Sequence, residues 1–183
     1  MSATQRLGRN DTAILVVDMQ ERLAAAMAPD ALAPLIKRVA TLIEGAKALG
    51  LPLVVTEQYP KGLGPTVGAL REKLGEVKPV EKLRFSALVE SVRRQLAGRK
   101  NVVVAGMETH VCVFQTVRDL VDAGLRPVVC VDAVLSRFAA DREAGLQLSR
   151  DAGATLSSVE AVLFDLLGEA GTPEFKRIWA AVR

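Results

Sequence analysis

Residues 101–106 read NVVVAG, and the residues that follow, 107–113, read METHVCV. The first stretch is short, β-branched and almost wholly apolar, which suits a strand buried on both faces of a helix-covered parallel sheet. From about 111 to 123, Val113, Val117, Leu120 and Val121 recur on one side at helical spacing, and Gly124 supplies a stop. A buried strand that feeds an amphipathic helix is the repeating unit of α/β folds.

The same alternation extends in both directions. Strands are predicted at 13–18 (AILVVD), 53–56, 77–81, 126–131 and 154–156. Helices are predicted at 31–49, 67–74, 87–97, 141–151, 159–167 and 173–181. In the first of these helices Leu32, Leu35, Ile36, Val39, Leu42, Ile43 and Ala46 mark one buried face, and Gly50 with Pro52 ends it. The stretch 57–66, rich in Gly and Pro, reads as a loop. The expected fold is α/β: one domain over 1–183, a three-layer α/β/α, Rossmann-like sheet of about six mainly parallel strands. In such sheets ligands bind beyond the carboxyl ends of the strands, where strand order reverses.

Composition narrows the partners. The chain has 183 residues, 50% apolar and 25% charged, the balance of a folded domain. Aromatics are only 4%, and the net charge of +3 is spread along the chain; Arg93, Arg94, Arg99 and Lys100 form the densest basic stretch, with Glu90 close by. Nucleic-acid binding is therefore not expected. No apolar run approaches the roughly 20 residues of a membrane span. Residues 1–6 carry no apolar signal core. Two cysteines, Cys112 and Cys130, do not make a disulfide framework in a chain this long, so free thiols in a reducing cytoplasm are expected.

Three predicted strand ends carry reactive groups. The first ends at Asp18 (VVDMQ), the third runs into Lys82 (EKLRFSAL), and the fourth leads to Cys112 at the start of a helix. Backbone N–H groups and the helix dipole there would lower a thiol pKa, and a nearby ammonium would act in the same direction. A carboxylate could carry the thiol proton to a leaving amine. Each residue also has a plainer reading. Asp18 with Glu21 matches a D-x-x-E helix cap; Lys82 alone reads as a solvated charge; Cys112 alone reads as a small buried apolar residue. Cys130, inside an apolar strand, belongs to the core. His110, the single histidine, lies two residues before Cys112, a spacing that does not put two helical side chains on one face. Glu108, Thr109 and His110 could simply cap the helix. The turn after the first strand lacks G-x-G-x-x-G, and Gly62-Leu63-Gly64 lacks a following G-K-[ST]. One histidine and no cysteine pair at ligand spacing argue against zinc, so no metal is expected.

Three motifs, VVDMQ around Asp18, KLRFSA around Lys82 and GMETHVCV around Cys112, taken in this order over about 11–167, resemble the isochorismatase-like, or nicotinamidase-related, cysteine hydrolases. The resemblance implies a catalytic Asp18, Lys82 and Cys112, a cis peptide between Met107 and Glu108, and an oxyanion hole from the backbone N–H groups of Glu108 and Cys112. It implies no cofactor, a small-molecule substrate and homo-oligomeric assembly. The loop TEQYPKGLGPT looks like the isochorismatase-domain-containing subgroup and would bring Gln58 and Tyr59 to the pocket mouth, with Phe85 in its wall. The histidines of metal-dependent nicotinamidases are missing from this loop, which disfavours nicotinamide. Some relatives carry a ribonuclease label, which the charge distribution here does not support. The activity implied is hydrolysis of a small amide-like substrate through a thioester. The alternatives are a non-catalytic ligand- or partner-binding member, and an acid-catalysed vinyl-ether hydrolase that would need Asp18 but not Cys112.

Overall fold

A computed structural model describes residues 6–183. Residues 1–5, and with them most of the N-terminal stretch read above for a signal core, lie outside the described residues. Six strands form one sheet: β1 (Thr12–Val17), β2 (Leu53–Gln58), β3 (Val80–Lys82), β4 (Asn101–Met107), β5 (Arg126–Leu135) and β6 (Thr155–Ser157). Their order is β3-β2-β1-β4-β5-β6, and every pairing is parallel. Helices are α1 (Glu21–Ala24), α2 (Pro29–Leu49), α3 (Pro60–Leu63), α4 (Gly68–Leu74), α5 (Glu90–Gln95), α6 (Phe114–Asp122), α7 (Ala139–Asp151), α8 (Val159–Leu167) and α9 (Pro173–Val182), with a π-helical turn at Thr109–Val113.

The period of two along each strand sorts side chains into two cores. Ile14, Val16, Val103 and Ala105 pack with α2, α4, α8 and α9, whereas Leu15, Val17, Val102 and Val104 pack with α5, α6 and α7. The sheet is the middle layer of three, and its central strands are buried on both faces. Among the described residues no helix is long and apolar enough to cross a membrane.

Several boundaries differ from the sequence reading, each for a local reason. β3 begins at Val80, not 77, because Pro79 has no N–H for a ladder. β5 runs on past Val131 to Leu135 because the polar Asp132 is used: it accepts the Val159 N–H (2.9 Å) and faces Arg38 (3.4 Å). α5 is shorter than predicted because the N–H groups of Ala87 and Leu88 are committed to the hydroxyls of Thr116 and Ser86. The predicted loop 57–66 contains α3, and α1 was not foreseen; each is a single turn, too short for a periodic signal. The helix predicted over 111–123 begins earlier, as the π-helical turn, before continuing as α6.

Strand order reverses between β1 and β4: the chain builds β2 and β3 on one side of β1, then crosses to build β4, β5 and β6 on the other. The crevice at the carboxyl ends of these two central strands is where such sheets place their ligands. The close approach there depends on Gly106, whose φ is +126° and whose ideal Cβ would lie 1.9 Å from Val17 O.

Candidate active site

Asp18 follows β1 directly, with a left-handed φ of +51°. Its N–H donates to Thr56 O and its carbonyl accepts the Gln20 N–H, so the backbone is held on both sides of the carboxylate. The side chain accepts from Thr56 Oγ1 (2.7 Å) and Lys82 Nζ (2.6 Å), and is fully buried. The helix-cap reading is thereby corrected. Gln20, not Asp18, precedes α1, and Glu21 faces Arg71 at 3.3 Å. The carboxylate instead points into the crevice between the strands, where a fixed ammonium is available.

Lys82 ends β3, two strands away from β1. Its Nζ contacts four oxygens: Asp18 Oδ2, Gln58 Oε1 (2.9 Å), Arg84 O (3.2 Å) and Phe85 O (3.0 Å). A solvated lysine would show none of this. Its side chain is shielded from solvent, and acceptors with one opposite charge offset the cost of burying an ammonium.

Cys112 sits in the π-helical turn after β4, with 6% of its surface exposed. Its thiol lies near enough to Asp18 and Lys82 for both charges to act on it. The turn is held from below: Val111 and Val113 both donate N–H to Glu108 O, Thr116 Oγ1 donates to Cys112 O, and Ser136 Oγ accepts the Thr109 N–H. α7 packs against it without a side chain between, since a Cβ on Gly145 would come within 2.6 Å of His110 N. The Met107–Glu108 peptide bond is cis.

The electrostatics correct one sequence expectation. The Cys112 thiol is pushed up to about 12, first by burial and then by the Asp18 charge, with Lys82 opposing. Desolvation and a neighbouring anion outweigh the pull of the helix start. Asp18 is raised as well, chiefly by burial, although Lys82 and the Thr56 hydroxyl hold it down. Burial beside the carboxylate thus favours the neutral thiol.

The remaining sequence candidates separate. Gln58 is bonded to Lys82 rather than merely lining a mouth. Tyr59 is half-exposed and, with Pro60, Lys61, Glu81, Lys82 and Leu83, lines a cavity of about 420 Å³ beside β3; Asp18 and Cys112 are not among its lining residues. The Phe85 ring is exposed while its carbonyl faces Lys82. The Glu108 carboxylate accepts from both the backbone N–H and Nε of Arg137. His110 turns away from Cys112: its Nδ1 is 3.0 Å from Ser136 Oγ and its Nε2 is 3.7 Å from Asp141. Cys130 is fully buried in β5, and burial raises its pKa. Among the described residues no group of three or more His, Cys, Asp or Glu side chains is placed to hold a metal ion. Sequence reasoning missed Thr56 and Gln20. Gln20 stood inside the quoted VVDMQ, but nothing in its spacing said what it would bond.

Comparisons with known proteins identify the family and the fold. Residues 12–161 match the model of the isochorismatase domain. A secreted isochorismatase effector, Isc1, of Phytophthora sojae is 41% identical over 97% of this chain and 88% of its own length. The solved structure of the MAR1 ribonuclease from Caenorhabditis elegans superposes with a TM-score of 0.92 at 38% identity, covering 97% of this chain and 92% of that one. YcaC from Pseudomonas aeruginosa, solved with hexane-2,5-diol and covalent acrylamide, gives a TM-score of 0.86 at 25% identity over 97% and 92% of the two chains.

Proposed function

Because this chain belongs to the isochorismatase domain family of hydrolases, we propose that it hydrolyses a small amide-like substrate, with Cys112 as nucleophile, Asp18 as proton carrier and Lys82 as the cation that fixes the carboxylate. One observation carries the reading: a carboxylate and an ammonium from two separate strand ends pair at 2.6 Å at the strand-order reversal, and the Cys112 thiol, on the turn after a third strand, lies near enough for both charges to act on it.

The reaction is then as follows. Asp18 takes the Cys112 proton as sulfur attacks the carbonyl carbon, so the pair need not expose a free thiolate beforehand. The backbone N–H groups of Glu108 and Cys112 hold the oxyanion. The C–N bond breaks as Asp18 returns the proton to the departing amine, leaving a thioester. Water attacks the thioester carbonyl, giving its proton to Asp18; collapse releases the acid, and the proton returns to sulfur. Lys82 keeps the carboxylate in place throughout.

Acrylamide is an alkylator, so the covalent acrylamide on YcaC supports a reactive nucleophile within reach of small molecules in that relative, and the choice of an amide rests on the Cys112, Asp18 and Lys82 chemistry instead. The ribonuclease name of the nematode relative points elsewhere. A nucleophile with only 6% of its surface exposed favours a small substrate over a polymer. The test is a screen of small amides, vinyl ethers and RNA against the wild type, Cys112→Ala and Asp18→Ala. Amide turnover lost in both variants supports the proposal, and amide turnover that persists in Cys112→Ala removes it.

A second reading has its own support. Burial raises the Asp18 pKa, which favours a protonated acid able to donate to a vinyl ether. Vinyl-ether turnover that survives Cys112→Ala and vanishes in Asp18→Ala would establish that reading instead.

A further inference from the structure

Gln20 is fully buried, and its carboxamide makes three hydrogen bonds. Its Nε2 donates to Gln58 O (3.0 Å) and Gly64 O (2.7 Å), and its Oε1 accepts the Gln58 N–H (2.7 Å). Those partners settle which end is nitrogen, because two carbonyls require the donor and one N–H requires the acceptor. One side chain therefore engages both backbone groups of Gln58. The Gln58 side chain continues the chain of bonds: its Oε1 accepts from Lys82 Nζ (2.9 Å) and its Nε2 donates to Leu83 O (2.9 Å). At the other end the Gln20 N–H donates to Asp18 O at 2.8 Å. Asp18 and Lys82 are thus connected twice, once directly and once through two carboxamides in series. At Gln20 a carboxylate would lose both donor contacts and add a buried charge.

We propose that Gln20 is a positioning residue that acts through Gln58 on Lys82, holding the ammonium against Asp18 and within reach of the Cys112 sulfur. This rests on the hydrolase reading above but concerns residues that reading does not use. Asp18, Lys82 and Glu108 are the charged groups that act on the thiol, and Arg137 pairs with Glu108. Of these only Lys82 favours the thiolate. Letting Lys82 drift therefore lowers the thiolate population, and a loss equal to one pH unit slows alkylation at fixed pH about tenfold.

The experiment is alkylation of the full chain by acrylamide at pH 9, followed by mass spectrometry at Cys112. The proteins are the wild type, Gln58→Met, Gln20→Met and Thr66→Val. Thr66 bonds Glu57 in the same loop without touching Lys82, so Thr66→Val controls for loosening of the loop. Gln58→Met, at a partly exposed position, preserves the fold and decides the matter if Gln20→Met does not fold. Both methionine variants are expected to react about tenfold more slowly than the wild type, with Thr66→Val unchanged in rate even where its thermal midpoint drops. A reactive wild type whose rate neither methionine variant alters would overturn the positioning role. Slowing in Thr66→Val to the same degree would also overturn it, by assigning the effect to the loop. A wild-type Cys112 that acrylamide never labels would instead count against the hydrolase reading itself.

Discussion

Lys82 Nζ lies 2.6 Å from Asp18 Oδ2, and both side chains are shut off from solvent. Two charges held this way stabilise one another only as a pair, since each alone would be an uncompensated buried ion.

Asp18→Asn and Lys82→Met should therefore each cost about 3–5 kcal/mol. The double variant should cost clearly less than the sum, because it removes both charges together. Urea denaturation of the four proteins measures this. Additive losses would mean that the two groups do not depend on one another.

Alkali should unfold the protein partly through Cys112. The folded thiol is raised to about 12 against an ordinary 9.0, so the folded state holds its proton more tightly than the unfolded chain. The resulting stability is complete below pH 9 and is lost as the pH rises from 9 toward 12. A gap of roughly three pH units corresponds to at most about 4 kcal/mol. Stability curves of the wild type and Cys112→Ala should converge over that range. Parallel curves would contradict the raised value.

Gly106→Ala should abolish or severely impair folding, at a cost above about 4 kcal/mol. The new Cβ meets the backbone carbonyl of Val17, and no side-chain movement relieves that contact. Gly124→Ala is the comparison, since it shares a positive φ but has open space around the missing Cβ. It should cost only about 1–2 kcal/mol. Similar thermal midpoints for the two would refute the steric argument.

Self-association is expected from the family resemblance and from the exposed apolar side chains of Tyr59, after β2, and of Leu83 and Phe85, after the neighbouring β3. Sedimentation should give a mass that is a multiple of the 19.6 kDa chain, reduced by Leu83→Asp. A monomer at micromolar concentration would leave those side chains without this explanation.

How much of this was legible beforehand follows from the range of each interaction. The apolar run at β4 and the spacing of Val113, Val117 and Leu120 report local periodicity, which a strand or helix imposes over a few residues, so the α/β alternation could be read directly. Asp18, Lys82 and Cys112 stood out at strand ends in the same way. Short elements such as α1 and α3 left no such trace.

The chain alone determined the layered sheet, the order of its elements and the three reactive side chains worth watching. Only the tertiary structure decided that Lys82 meets Asp18 across a separation of 64 residues, that Gln20 and Gln58 bridge them, and that the thiol is raised rather than lowered. The physical reason is that desolvation and charge pairing depend on neighbours in space. Helix position, which can be read locally, contributes a smaller effect than burial beside a carboxylate.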